Sequence, residues 1–236
     1  MKKIHTSCCS FFAGLLLMLS GSSVAYASIV IDGTRVIYPS DAREITVKLT
    51  NNGKRPVLVQ SWLDTGNPDD VPDKITTPFI LTPPVNRVDA GKGQTLRING
   101  ASTSALRRDR ETVYWLNVLE IPMRPQQAET KVNYLQLAVR TRIKLFYRPT
   151  GLQGDANDAP STLTWRARDN NVVVSNPSPF YVSLTQINTN GRTVPADMVS
   201  PGGELTLNAN VARGSTITAF WVNDYGAIKS KDFTVN

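Results

Sequence analysis

The chain is predicted to be all-β, folded as two β-sandwiches in series. Three observations lead there. Short runs of alternating apolar and polar residues recur along it, turn-forming clusters separate them, and no long amphipathic helix interrupts the pattern. Ile45, Val47 and Leu49 alternate with Thr46, Lys48 and Thr50. Leu96 and Ile98 flank Arg97, Val172 and Val174 form a second such pair, and Leu205 and Leu207 alternate with Thr206 and Asn208. A period of two places one face of a strand on a core and the other in water. Asn51-Asn52-Gly53, Gly66-Asn67-Pro68, Pro83-Pro84, Asn176-Pro177 and Pro201-Gly202-Gly203 supply the turns between runs.

The first 27 residues are set apart from this pattern. Lys2 and Lys3 precede the apolar run Phe11–Leu19, and Ala25-Tyr26-Ala27 closes the segment with small residues at the first and third positions. Basic start, short apolar stretch and A-x-A end are the three parts of a secretory signal peptide. The run is too short for a membrane span, which needs about 20 apolar residues. Cleavage is expected before Ser28. Cys8 and Cys9 precede the apolar run, which excludes them as lipid-attachment cysteines.

Removing the leader has chemical consequences. Both cysteines and the single histidine, His5, lie within it. The mature chain therefore lacks disulfides, soft or imidazole metal ligands, and the nucleophile–imidazole pairs of Ser-His-Asp or Cys-His catalysis. No EF-hand-like metal loop and no phosphate-binding G-x-x-x-x-G-K-[ST] loop is present. No cofactor and no metal is expected, and any work is done without ATP. The acidic cluster Asp69, Asp70 and Asp73 lies in a Pro-rich turn, where a solvated loop fits better than paired catalytic acids. The mature chain carries 24 basic and 19 acidic residues, a net charge of +5. That suits an anionic partner but is also ordinary for solubility. No basic tract interleaved with aromatics points to nucleic acid.

The division between sandwiches is legible. A strand run from Tyr134 ends at Phe146-Tyr147-Arg148-Pro149, the polar turn-rich segment 150–160 follows, and strands resume near Leu163. The expected domains are residues 28–149 and 150–236, a size that fits two immunoglobulin-like sandwiches; one large barrel is the alternative. Trp62 is placed where such a sandwich carries a core tryptophan.

Particular motifs then narrow the reading. Residues 109–122 read Asp-Arg-Glu-Thr-Val-Tyr-Trp-Leu-Asn-Val-Leu-Glu-Ile-Pro, and residues 134–149 read Tyr-Leu-Gln-Leu-Ala-Val-Arg-Thr-Arg-Ile-Lys-Leu-Phe-Tyr-Arg-Pro. With them stand Gly33-Thr34-Arg35-Val36-Ile37-Tyr38, Leu81-Thr82-Pro83-Pro84, Asn176-Pro177-Ser178-Pro179-Phe180-Tyr181-Val182 and Asn223-Asp224-Tyr225-Gly226. Together, over nearly the whole mature chain, these resemble the periplasmic pilus chaperones of the chaperone–usher pathway, PapD-like and of the short-loop branch. Arg107 departs from the small residue or proline usual before Asp-Arg-Glu.

The resemblance implies two immunoglobulin-like domains in an L- or boomerang-shaped arrangement and a periplasmic location. The implied partners are pilin subunits, a tip adhesin among them, and an outer-membrane usher; self-association is a further means of covering the client-free edge. It also assigns residues. Leu135, Leu137, Val139, Ile143 and Leu145 share one parity of a strand, and Gln136, Arg140, Arg142 and Lys144 the other. Periodicity alone reads this as an ordinary strand with its apolar row in the core. The resemblance makes Leu135, Leu137 and Val139 the residues donated to a subunit lacking a strand, with Ile143 and Leu145 returning to the core. Arg35 and Lys144, each a surface charge by itself, become the pair that grips the subunit's C-terminal carboxylate. Glu111, Arg148 and Asp224 become a charged network between the domains. A secreted β-sandwich pilin or adhesin is the competing class, but it would carry a donor segment at its own N-terminus, and Ser28-Ile29-Val30-Ile31 runs directly into the Arg35 motif.

Overall fold

The computed structural model describes residues 28–123 and 136–236. The first nine strands are β1 (Ile29–Ile31), β2 (Arg35–Pro39), β3 (Glu44–Asn51), β4 (Val57–Asp64), β5 (Phe79–Thr82), β6 (Val85–Val88), β7 (Gly93–Gly100), β8 (Thr112–Pro122) and β9 (Val139–Arg148). They form a four-stranded sheet in the order β1-β3-β7-β5 and a five-stranded sheet in the order β2-β9-β8-β4-β6. The alternation in sequence explains how the sheets meet. Val47 and Leu49 on β3 and Leu96 and Ile98 on β7 turn inward against Val57 and Val59 on β4, Leu116 and Val118 on β8, and Leu145 on β9. The intervening polar residues are left on the outer faces.

The remaining strands are β10 (Thr164–Arg168), β11 (Asn171–Ser175), β12 (Val182–Thr189), β13 (Arg192–Pro195), β14 (Met198–Val199), β15 (Glu204–Leu207), β16 (Thr216–Val222) and β17 (Ile228–Thr234). Sheet β10-β11-β15 faces the sheet β13-β12-β16-β17, with β14 beside β12. Trp165, Val172, Val174, Leu184, Ile187 and Ile217 fill the space between them.

Two buried asparagines fasten equivalent turns. Asn51 Nδ2 donates to the carbonyls of Arg55 and Val88, and its Oδ1 accepts from Gly53 N–H. Asn176 Nδ2 likewise donates to Phe180 and Val199 carbonyls, and its Oδ1 accepts from Ser178 N–H. Each side chain satisfies backbone groups that the turn leaves unpaired. Glu120, on β8 of the five-stranded sheet, reaches to the start of β1 in the other sheet and accepts hydrogen bonds from the N–H groups of Ser28 and Ile29 at 2.9 and 3.0 Å.

Two local expectations are corrected. Trp62 is not a core residue: Val59, Ser61 and Leu63 take the inward parity of β4, so Trp62 faces outward, half-buried, with the Arg140 guanidinium 4.9 Å from its ring. The fully buried tryptophan near the middle of a sandwich is Trp165, in the second. The strand expected from Tyr134 is, among the described residues, regular only from Val139, which pairs with Glu120 near the end of β8. Residues 136–138 have no ladder partner, and a chain without one is not a strand.

One parity of the chain thus passes from solvent to core between residues 137 and 145. Leu137 is 66% exposed, Val139 41%, Ile143 half-buried, and Leu145 0%. Leu145→Ala is expected to lower stability by about 2–5 kcal/mol. Leu137→Ala should stay within about 0.5 kcal/mol of the parent. Urea denaturation of the two variants measures the difference.

Candidate functional site

β9 has neighbours of unequal length. β8 runs antiparallel beside it from Val139 to Tyr147. β2 runs parallel on its other side, but only from Lys144 to Arg148. Before Lys144, β9 is therefore an edge strand, with one row of N–H and C=O groups unpaired on that side. Val139 begins this open half and Leu137 lies just before it, both with their side chains exposed. An open edge flanked by exposed apolar side chains is a template for another strand. Leu135 lies outside the described residues.

The open edge begins at a pair of cations. Arg35, the first residue of β2, is the register partner of Lys144. Both side chains are partly buried where the first sandwich faces the second. Arg35 Nη1 donates to Ser183 Oγ on β12 at 3.3 Å, its guanidinium lies 5.8 Å from the Phe146 ring, and its Nε is buried without a partner. Burial lowers the Arg35 pKa, against the opposing pull of Asp224 and Glu111. Burial also lowers the Lys144 pKa; Asp197 opposes this and Arg35 adds to it. Among the described residues neither makes an ion pair. Two desolvated cations side by side, one with an unsatisfied donor, have the chemistry to hold an anion, and a carboxylate matches the guanidinium fork.

Behind this pair the structure brings Glu111, Arg148 and Asp224 together. Arg148 Nε donates to Glu111 Oε1 at 2.6 Å, and Nη1 and Nη2 donate to the two Asp224 oxygens at 2.7 and 3.1 Å. Glu111 Oε2 accepts the N–H of Tyr181 at 2.7 Å. Arg148 ends β9, Asp224 lies in the turn between β16 and β17, and Tyr181 precedes β12, so the network joins the two sandwiches. Glu111 is 3% exposed, and burial pushes its pKa up despite Arg148 and Tyr181. Burial opposes the charge on Arg148 too, but Asp224 and Glu111 outweigh it and raise its pKa. Desolvation and attraction nearly offset one another in such clusters, so the network contributes geometry more than stability.

The outer face of the five-stranded sheet holds a group that sequence reasoning missed. Asp64, at the end of β4, is 0% exposed although its parity points away from the core. Its carboxylate accepts from Arg142 through Nε and Nη2, from Asn117 Nδ2 at 2.7 Å, and from Gly66 N–H at 2.7 Å. Arg140 Nε donates to Asn117 Oδ1 at 2.9 Å, and Arg140 Nη1 donates to the Pro68 carbonyl at 2.6 Å. The Arg140 and Arg142 guanidiniums lie 4.9 and 4.7 Å from the rings of Trp62 and Trp115. A signal existed in the i, i+2 pairs Trp62/Asp64, Trp115/Asn117 and Arg140/Arg142, each presenting two polar or aromatic groups on one strand face.

Comparison with known proteins follows the same lines. Residues 28–153 match the family described as pili and flagellar-assembly chaperone, PapD N-terminal domain, and residues 158–233 match the pili assembly chaperone PapD, C-terminal domain. The chaperone protein MrkB of Klebsiella pneumoniae is 44% identical, with all of each chain covered. The probable fimbrial chaperone YadV of Escherichia coli K12 is 42% identical over 94% of each chain. The crystal structure of YadV chaperone superposes with a TM-score of 0.74, covering 88% of this chain and all of that one. The SafB chaperone of Salmonella enterica, solved in complex with the SafA pilin, matches at 27% identity and a TM-score of 0.77, over 90% of this chain and 98% of that one. No helix among the described residues is long and apolar enough to cross a membrane.

The cation pair has a titration signature. The ordinary lysine value is 10.5, and in the client-free protein Lys144 should titrate below it. Between the folded and unfolded values the unfolded chain binds the extra proton, so the charge on Lys144 opposes folding at neutral pH and stability recovers as pH rises through the folded value. A carboxylate bound at the site should move the Lys144 pKa upward. NMR titration of the lysine Cε resonance, with and without a peptide bearing a free C-terminus, reads both shifts.

Proposed function

This chain belongs to the PapD family of pili-assembly chaperones, and we propose that it captures pilin subunits in the periplasm by strand donation and passes them to an outer-membrane usher. The observation that carries the reading is the open edge of β9, which begins at the register pair Arg35 and Lys144. A sandwich short of one strand gains a full complement of main-chain hydrogen bonds along Val139–Ile143. Leu137 and Val139, preceded by Leu135, enter its vacant groove.

The subunit's C-terminal carboxylate lies against Arg35 and Lys144, where the guanidinium supplies a planar fork and the ammonium a compact charge. Fixing one end fixes the register, because a slip of one residue would turn every groove-filling side chain to the opposite face. Glu111, Arg148 and Asp224 hold the second sandwich in place beside this site. The driving force is strand pairing and apolar burial, so capture needs no ATP. A tip adhesin carrying the same kind of incomplete sandwich is captured in the same way. We assign residues 1–27 to a leader removed before Ser28, residues 28–149 to the strand-donating domain, and residues 150–236 to the second domain.

Charge-assisted hydrogen bonds contribute about 1.5–3 kcal/mol each. Arg35→Ala or Lys144→Ala should therefore weaken subunit binding roughly ten- to hundredfold in a protein that remains folded and exported. Recovery of subunit from periplasmic extracts, with affinity measured on purified protein, tests this; wild-type yield for either variant removes the carboxylate anchor. Amidating the C-terminus of a client peptide should mimic the loss. Leu137→Asp should abolish capture while leaving thermal unfolding of the free protein unchanged. A collapse in stability would place Leu137 in the core instead.

A further inference from the structure

We propose that Asp64 is a positioning residue for strand donation, holding the open half of β9 extended through Arg142, Asn117 and Arg140. The proposal rests on the strand-donation reading and adds a residue to it. The difficulty it addresses is local. From Val139 to Ile143, β9 has a strand neighbour on one side only, whereas from Lys144 onward it has two. An edge segment with half its main-chain partners frays readily, yet a donor must already be straight and in register when a subunit arrives.

The network on the outer face answers that requirement. Asp64 sits on β4, two strands from β9, and is buried beneath the side chains that bind it. Arg142 grips both Asp64 oxygens, and Asn117, on the intervening β8, donates to one of them at 2.7 Å. Asn117 passes the connection to Arg140 at 2.9 Å, and Arg140 also donates to the Pro68 carbonyl. Arg142 is the ladder partner of Asn117, whereas Asp64 is level with Trp115 and Arg140 with Leu119, so the bonds run diagonally across the three strands. The tryptophan rings beneath Arg140 and Arg142 limit the rotation of both guanidiniums. Arg140 and Arg142 both lie in the open half of β9, on the parity opposite Val139. The network therefore braces this segment from its outer face and leaves its edge and its apolar row clear. Burial alone would raise the Asp64 pKa, but the bonds from Arg142, Asn117 and Gly66 outweigh it and lower the value, so the carboxylate is charged at neutral pH.

The test uses Asp64→Asn and, because an asparagine buried against two arginines puts the fold itself at risk, Arg140→Ala beside it, since Arg140 is partly exposed; a folded Asp64→Asn protein should show the result expected of Arg140→Ala. Amide hydrogen exchange is read across β9 in the free protein, and the subunit capture rate is read alongside. The expected result in Arg140→Ala is exchange about tenfold faster over residues 139–143, unchanged exchange over 144–148, and slower capture. In the purified complex the difference should vanish, because the subunit then supplies the second neighbour. Unchanged exchange at 139–143, equal acceleration throughout the sheet, or faster exchange with capture at the parent rate would each overturn the proposal. Leu137→Asp, run in the same capture assay, separates the two levels: if it captures normally, strand donation itself is wrong whatever Arg140→Ala does.

Discussion

The feature on which the rest of this structure depends is the unequal flanking of β9. Its second half lies between two strands and belongs to the core; its first half has β8 alone. The cause is the short length of β2, which starts at Arg35 and so can accompany β9 only from Lys144. One topological fact thereby places the cation pair, the exposed leucine and valine, and the beginning of the open edge within a few residues of one another.

Such an edge conflicts with ordinary folding requirements, since unpaired strand groups beside apolar side chains invite aggregation. The arrangement around β9 limits that hazard without closing the edge. Charge occupies the outer parity, where Arg140 and Arg142 are fixed against tryptophan rings and a buried carboxylate. At the far end, Arg148 ties the strand to the second sandwich through Asp224, and Glu111 joins the same cluster. One strand therefore carries three layers of side-chain chemistry: apolar groups on one parity, braced cations on the other, and an interdomain clamp at its end. Burial disfavours the charges of Arg35 and Lys144 in the free protein, and on the proposed reading the client's carboxylate offsets that cost.

How much of this was legible from sequence follows from the kind of information each feature carries. Period-two alternation located Val47, Leu49, Leu96, Ile98, Val172 and Val174, because inward and outward positions differ in polarity. It could not separate Leu137 from Leu145, which share a parity and a residue type and differ only in whether a second strand lies alongside. That is a property of topology, and only the family resemblance drew attention to it. Parity also leaves the inward face unlabelled when both faces carry large residues, which is why Trp62 was placed in the core. Asp64 carries only the weak i, i+2 signal shared with Trp62, for a third reason. Beside Leu63 it reads as the exposed end of a strand, and the partner that buries it, Arg142, is 78 positions away in the chain. The acid of Glu111 and the base of Arg148 were separable from other surface charges only through the motifs around them.

On the proposed reading, the open half of β9 becomes an inner strand of a client in one register, set by the Arg35–Lys144 anchor. Residues 28–236 contain no cysteine, so Leu137→Cys or Val139→Cys introduces the only thiol in that span. Disulfide trapping against a series of single cysteines along the groove of a pilin subunit measures the register directly. Each chaperone position should trap one groove position strongly, the two favoured positions should be offset in step with the strand spacing, and removal of the subunit's C-terminal carboxylate should blur the preference. Trapping spread evenly along the groove, or a sharp register that ignores the carboxylate, would contradict the claim.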